Sequence, residues 1–150
     1  MDTKLRTAIC LSAIAATSMD HGVTPTKITI VPCNGALGFV HYQPKSDLIA
    51  PPAELEAQLE VAVAGNVAQR LFTDRFDTSF LSEFVRAGSI IKMMRDLGDT
   101  RDVDTIMADA VKRVKAKLLA NERNVRRIAD ALVREGTLDA HAFQQIIGGE

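Results

Sequence analysis

Few side chains of this sequence have the type and spacing of a reactive site. The histidines and cysteines are His21, His41, His141, Cys10 and Cys33. The two cysteines lack the close spacing of a zinc knuckle or a redox pair, and they are too few for a disulfide framework. The sequence has no Ser–His–Asp order with supporting motifs, no Walker-type glycine loop and no dinucleotide-binding fingerprint. The reactive site that these side chains could still form is a metal site built from His21, His41 and the carboxylate of Glu83.

Composition and charge limit the class of protein. The 150 residues are 47% hydrophobic and 25% charged, which suits one globular domain with its own core. A formal net charge of −1 gives no overall basic field for binding nucleic acid. No apolar run reaches the roughly 18 residues that a membrane span needs. Because the cysteines suggest no disulfides, a reducing, cytoplasmic location is predicted.

The elements that would position these groups are mostly helical. The uncharged run Thr7–Ala16 follows Lys4 and Arg6, so it has some features of a secretory signal. Its alanine content and its lack of Gly and Pro favour a buried helix instead, from Leu5 to about Ala16. Apolar residues at three- and four-residue spacing predict four more helices, and Asp139 can cap a last short one. The predicted ranges after the first helix are about 53–72, 80–98, 103–118, 125–133 and 139–147.

A β-ribbon follows the first helix. Lys27–Pro32 alternates and is rich in β-branched residues, and Ala36–Tyr42 comes after a plausible turn at Cys33–Gly35. Pro44 and Pro51 mark a loop before the next helix. The predicted fold class is mainly α, an array of about six helices with a two-stranded β-ribbon, in one domain over residues 1–150.

The sequence also predicts which way two helical faces point, one towards the core and one towards solvent. Phe80 and Phe84 are predicted to begin the apolar, core-facing stripe of the third helix. Lys112–Lys117 and Arg123–Arg127 form a basic strip, which is predicted to face solvent.

The ribbon also carries a specific resemblance. Lys27–Pro32 followed by Gly35–Val40 resembles the strand pair in the peptidase domain of the FtsH family, which are membrane-bound AAA+ zinc metalloproteases. Ala64–Gln69 stands where that family has Gly-Gly-Arg-x-Ala-Glu, and Ala120–Leu132 with Thr137–Asp139 matches its closing helices. The resemblance covers nearly the whole chain. It implies the fold of the peptidase domain without the ATPase module, and it implies a possible homo-oligomer.

The resemblance also implies where zinc, the family's cofactor, would be bound. Counting back from the strand without a gap places the family's H-E-x-x-H motif on the first helix, with Ala8 and Ser12 at the histidine positions. Ile9 takes the position of the glutamate that activates water, and Glu83 takes that of the third ligand, an aspartate. Side chains four residues apart on a helix can bind one ion, but alanine has no lone pair and serine is a poor zinc ligand. No cofactor is therefore expected.

The sequence thus predicts a catalytically inactive FtsH-like peptidase domain, a pseudo-metallopeptidase. Without zinc no Lewis acid polarises the peptide carbonyl, and without a glutamate at position 9 no base accepts the proton of water. In the family the edge of the ribbon lies along the substrate cleft. Gly35, Ala36, Leu37 and Gly38 are therefore the candidate peptide-binding residues of a protein-binding or regulatory module.

Two other functions stay open. A metallopeptidase domain with rearranged ligands would use His21, His41 and Glu83. A helical interaction protein would bind an acidic partner through the basic strip.

Overall fold

The computed structural model describes residues 1–42 and 52–148. Its helices are α1 Thr3–Asp20, α2 Pro52–Phe72, α3 Leu81–Asp96, α4 Val103–Ala120, α5 Glu122–Glu135 and α6 Ala140–Gly148. Its strands are β1 Lys27–Thr29, β2 Phe39–His41 and β3 Thr137–Asp139. The predicted mainly α fold is confirmed for this part of the chain, whereas the loop predicted between Pro44 and Pro51 lies outside it.

Helix α1 is the centre of the fold. Every residue from Thr7 to Ser18 is buried, because α2 and α5 pack along the helix and α4, β1 and β2 also contact it. The carboxylate of Asp2 accepts a hydrogen bond from the backbone N–H of Leu5 at 2.8 Å, which caps the first turn. The uncharged run in α1 is thus a core helix, as predicted. Across residues 1–42 and 52–148, no helix is both long and apolar enough to cross a membrane.

The ribbon is part of a three-stranded antiparallel sheet in the order β2–β1–β3. The predicted turn is confirmed, since Asn34 and Gly35 have φ angles of 51° and 82° between the bridged residues Cys33 and Ala36. The prediction of only two strands was incomplete, because β3 also pairs with β1. A strand of three residues, far along the chain from its partner, leaves no periodic signal in the sequence.

The predicted apolar stripe of α3 was wrong at Phe84. Phe84 is 39% exposed, whereas Ala87, Ile90 and Ile91 are buried. Phe80 is buried but precedes the helix. The first turn of α3 borders a surface cleft instead of the core, so the core-facing positions begin only at Ala87.

The basic strip is not a uniformly solvated face. Lys117 Nζ lies 2.8 Å and Arg113 Nε 3.3 Å from the carboxylate of Glu60 on α2, and the Glu60 side chain is only 4% exposed. Arg126 pairs with Glu122 on its own helix at 3.0 Å. Two cations predicted to face solvent therefore tie α4 to α2.

Candidate functional site

A cleft of about 580 Å³ lies beside strand β2, and we call it the β2 cleft. Helix α1 supplies Thr7, Leu11 and Ile14, whose spacing places them on one face of the helix. Strand β2 and the preceding turn supply residues 35–40. The volume falls within the range of roughly 300–1,000 Å³ that is typical of ligand sites.

Phe80 forms part of the opposite wall, and helix α2 fixes its position. A Cβ atom on Gly65 would lie 2.9 Å from the Phe80 ring and 3.2 Å from Ile14 Cδ1, so only glycine allows this close packing. Asn66 Nδ2 donates a hydrogen bond to the Phe80 carbonyl at 3.3 Å. The segment 64–69, which was matched to a family motif, therefore holds the cleft wall in place.

The charged side chains that line the β2 cleft are Glu83 and Arg86, one helical turn apart on α3. Arg86 Nη1 lies 3.7 Å from Glu83 Oε2, and both side chains are partly exposed. The two charges offset each other, so the cleft carries no net charge. Its inner surface is formed by the buried apolar side chains of Leu11, Ile14 and Phe80.

A second cavity of about 330 Å³ continues from the β2 cleft, because Tyr42, Val61 and Arg86 line both. The Ser18 and Tyr42 hydroxyl oxygens are 2.5 Å apart. Burial raises the pKa of Tyr42, whereas its hydrogen bond with the Ser18 hydroxyl lowers it; the charge of Glu83 raises this pKa and that of Arg86 lowers it. The two cavities thus meet at Tyr42, Val61 and Arg86.

The structure brings some of the predicted site residues together. Gly35, Ala36, Leu37 and Gly38 all line the β2 cleft, and so does Glu83. 

The two histidines proposed as rearranged ligands lie elsewhere. His21 lines the second cavity, with its Nε2 3.3 Å from Glu60 Oε1. His41 is exposed on β2, where its ring packs edge-on against Phe39 at 4.3 Å. The structure does not join His21, His41 and Glu83 into one site.

The counted motif positions do not face the cleft. Ala8 and Ser12 are fully buried, and the Ser12 hydroxyl donates to the Ala8 carbonyl at 2.6 Å. The residues of α1 at the same spacing that do line the cleft are Thr7 and Leu11. Side chains one residue apart on a helix differ in direction by about 100°, so the two pairs point in different directions. No sequence signal distinguishes the two pairs, since both lack a metal ligand.

The donor set of the cleft does not fit a catalytic zinc ion, which normally needs three protein ligands. Among the described residues that line the cleft, Glu83 is the one that belongs to the usual zinc-binding types His, Cys, Asp and Glu. Elsewhere in residues 1–42 and 52–148, no three such side chains lie close enough together to hold a metal. Cys10 offers no substitute, because it is fully buried away from the wall and burial raises its thiol pKa to about 12.

Arg86 and the pair Thr7 and Leu11 were missed by sequence reasoning. An arginine one turn after Glu83 is an ordinary surface pattern, so the sequence held no signal for its place between two cavities. Thr7 and Leu11 have the four-residue spacing that places two side chains on one helix face. Ala8 and Ser12 have the same spacing, so spacing alone did not identify the pair that lines the cleft.

Comparison with known proteins gives a consistent set of matches. The sequence profile of peptidase family M41 matches residues 12–99, more than half of the chain. The ATP-dependent zinc metalloprotease FtsH of Thermus thermophilus is 26% identical over 91% of this chain and 27% of its own length. The ATP-dependent zinc metalloprotease YME1L1 of Homo sapiens is 28% identical over 92% of this chain and 21% of its own length. The chain thus spans about a quarter of these relatives. The profile match begins at Ser12, so Thr7 and Leu11, which line the cleft, precede the matched segment.

Proposed function

This chain belongs to peptidase family M41, and we propose that it binds polypeptide segments in the β2 cleft without hydrolysing them. The observation that carries the proposal is the set of side chains on the cleft wall. Thr7 and Leu11 stand at the spacing of a two-histidine motif, and neither can hold zinc. Ala8 and Ser12, the positions obtained by counting, offer no better pair.

Hydrolysis of a peptide bond by this kind of site would need a metal and a general base. The residue after Thr7 is Ala8, and the residue after Ala8 is Ile9, so neither register supplies a carboxylate to accept the proton of water. With one carboxylate, Glu83, the cleft lacks the groups that polarise a carbonyl and activate a nucleophile.

Binding of a polypeptide does not depend on these groups. Strand β2 is at the end of the sheet order, so its outer edge has no partner strand among the described residues. An edge strand can accept an extended peptide through its backbone N–H and C=O groups. The cleft beside this edge supplies room for side chains.

Zinc content and casein cleavage of the purified chain test the proposal. We expect zinc well below one ion per chain and no cleavage that a chelator abolishes. A positive control is the variant Thr7→His, Leu11→His, which places the two histidines of the motif on residues that line the cleft. It is expected to bind zinc, with Glu83 as the third ligand.

The matched control places the same two histidines one residue later, as Ala8→His, Ser12→His. Because Ala8 and Ser12 are fully buried, we expect this variant to be destabilised and to gain no zinc site. Stoichiometric zinc in the native chain, together with chelator-sensitive cleavage of casein, would contradict the proposed function.

A further inference from the structure

The turn between β1 and β2 contains the dipeptide Asn34–Gly35, and both residues are exposed. Two backbone hydrogen bonds close the turn. The Cys33 N–H donates to the Ala36 carbonyl at 3.0 Å, and the Ala36 N–H donates to the Cys33 carbonyl at 2.9 Å. Neither bond uses the N–H of Gly35. Among the described residues, no hydrogen bond holds the side-chain amide of Asn34 either.

An asparagine followed by an accessible backbone nitrogen can lose its amide group, and asparagine is among the thermolabile residues of proteins. The Gly35 nitrogen attacks Cγ of Asn34, so that a new C–N bond forms and the bond between Cγ and Nδ2 breaks. Nδ2 leaves as ammonia and takes the proton that the Gly35 nitrogen loses. The product is a five-membered succinimide ring. Water then opens the ring at either of its two carbonyls and leaves aspartate or isoaspartate at position 34.

Gly35 removes the steric obstacle to closure of this ring. A side chain on the attacking residue would hinder the approach of its nitrogen to Cγ of Asn34, and glycine has none. The surroundings are open as well, because a Cβ atom built at Gly35 would meet nothing within 4 Å. The backbone can therefore rotate towards the reactive geometry without displacing a neighbouring group.

The other three asparagines of the chain, Asn66, Asn121 and Asn124, lack these conditions. Asn66 and Asn124 lie inside α2 and α5, and Asn121 joins α4 to α5. Each is followed by a residue with a side chain. A helical backbone also holds the following N–H in a hydrogen bond, as the Val125 N–H is held by the Asn121 carbonyl at 3.1 Å.

We infer that Asn34 is a site of spontaneous deamidation and that its isoaspartate product opens the turn between Cys33 and Ala36. The φ angle of Asn34 is 51°, and aspartate tolerates this left-handed backbone as asparagine does. The aspartate product therefore keeps the turn. Isoaspartate adds one carbon atom to the main chain, and a turn of two residues cannot take up the extra length while both hydrogen bonds persist. The inference concerns the covalent structure of the turn and does not depend on the proposed function.

Mass spectrometry of the native full chain after incubation in a mildly alkaline buffer tests the first part. The chain is digested with pepsin in acid, where further loss of ammonia is slow. We expect the peptide that contains Asn34 to change progressively from the mass of the amide to that of the acid. The peptides that contain Asn66 and Asn124 are expected to keep their mass. Isoaspartate is identified by transfer of a labelled methyl group from S-adenosylmethionine, catalysed by an isoaspartyl carboxyl methyltransferase.

Two variants serve as matched controls. Asn34→Gly keeps a residue that adopts positive φ and removes the amide, so no acid product and no methyl label are expected in this turn. Asn34→Asp reproduces the product that keeps the turn. A chain unfolded in urea shows how fast the same dipeptide reacts without the fold.

Amide hydrogen exchange, followed by NMR, tests the second part. In the aged chain the isoaspartate form gives its own set of amide signals. We expect its Ala36 N–H to exchange at least about 10-fold faster than in the unaged chain, because one lost backbone hydrogen bond corresponds to about that factor. In Asn34→Asp the Ala36 N–H is expected to exchange as slowly as in the unaged chain.

Three results would overturn the inference. The first is an Asn34 peptide that keeps its mass in the folded chain while the chain in urea is converted, since the fold would then protect the site. The second is deamidation of Asn66, Asn121 or Asn124 at the rate of Asn34. The third is equal exchange of the Ala36 N–H in the isoaspartate form and in the unaged chain.

Discussion

Glu60 joins three helices through one buried carboxylate. It lies on α2, accepts hydrogen bonds from Lys117 and Arg113 on α4, and lies 3.3 Å from His21 at the end of α1. Burial by itself raises the pKa of Glu60, but the hydrogen bond and charge of Lys117, with the charges of His21 and Arg113, outweigh it. The pKa of Glu60 is therefore below its usual value, and the carboxylate is charged in the folded chain at neutral pH.

Glu60→Gln is expected to lower the free energy of unfolding by about 1.5–3 kcal/mol at pH 7, because charge-assisted hydrogen bonds are lost. Urea denaturation followed by circular dichroism measures this change. The control is Glu135→Gln. Glu135 pairs with its neighbour Arg134 on an exposed surface, so its removal is expected to cost less than about 0.5 kcal/mol.

The native chain and the Glu60→Gln variant are also expected to differ in how their stability depends on pH. Because the pKa of Glu60 is lower in the folded chain than the ordinary 4.5, its contribution is present above that pH and is lost as pH falls through the folded pKa. The difference in unfolding free energy between native and Glu60→Gln protein should therefore shrink below about pH 4.5. A difference that stays constant between pH 7 and pH 3 would mean that Glu60 is not held as a charged group.

At the scale of elements, local patterns were sufficient for the helices and the turn. The cap Asp139, which accepts from the Ala142 N–H at 2.8 Å, and the Asn34–Gly35 turn were predicted because each is set by neighbouring residues. The strand β3 and the face that α1 presents to the cleft were not predicted. Both depend on how distant segments pack, and a shift of one residue on a helix leaves the local pattern unchanged.

Gly38→Ala tests how tightly the elements of the cleft meet. A Cβ atom there would lie 2.5 Å from the Thr29 carbonyl oxygen on β1 and 2.8 Å from Leu11 Cδ1 on α1. We expect the substitution to lower the free energy of unfolding by about 1–3 kcal/mol and to weaken peptide binding, since β2 must move away from β1.

Gly88→Ala is the matched control for this substitution. Gly88 lies in α3, and a Cβ atom there would meet nothing within 4 Å. Alanine is the better helix former, so we expect stabilisation by about 0.5–1 kcal/mol. If Gly38→Ala is as well tolerated as Gly88→Ala, the close contact of β2 with α1 and β1 is incorrect.

At the scale of the whole molecule, the chain has the fold expected of a peptidase domain and spans about a quarter of its relatives' length. The profile match and the six helices with their sheet agree with the resemblance seen in the ribbon. A cytoplasmic location and self-association stay predictions. The proposed function separates two properties that an active peptidase combines in one cleft, namely binding an extended chain and cleaving it.

Binding of a fluorescently labelled nine-residue peptide of serine and threonine with a central leucine, measured with and without a chelator and followed by mass spectrometry of the peptide, tests this separation most directly. We predict the same dissociation constant in both conditions and a peptide of unchanged mass after prolonged incubation. Loss of binding on chelation, or peptide fragments that appear only without the chelator, would contradict the proposal that the β2 cleft binds polypeptides without a metal and without cleaving them.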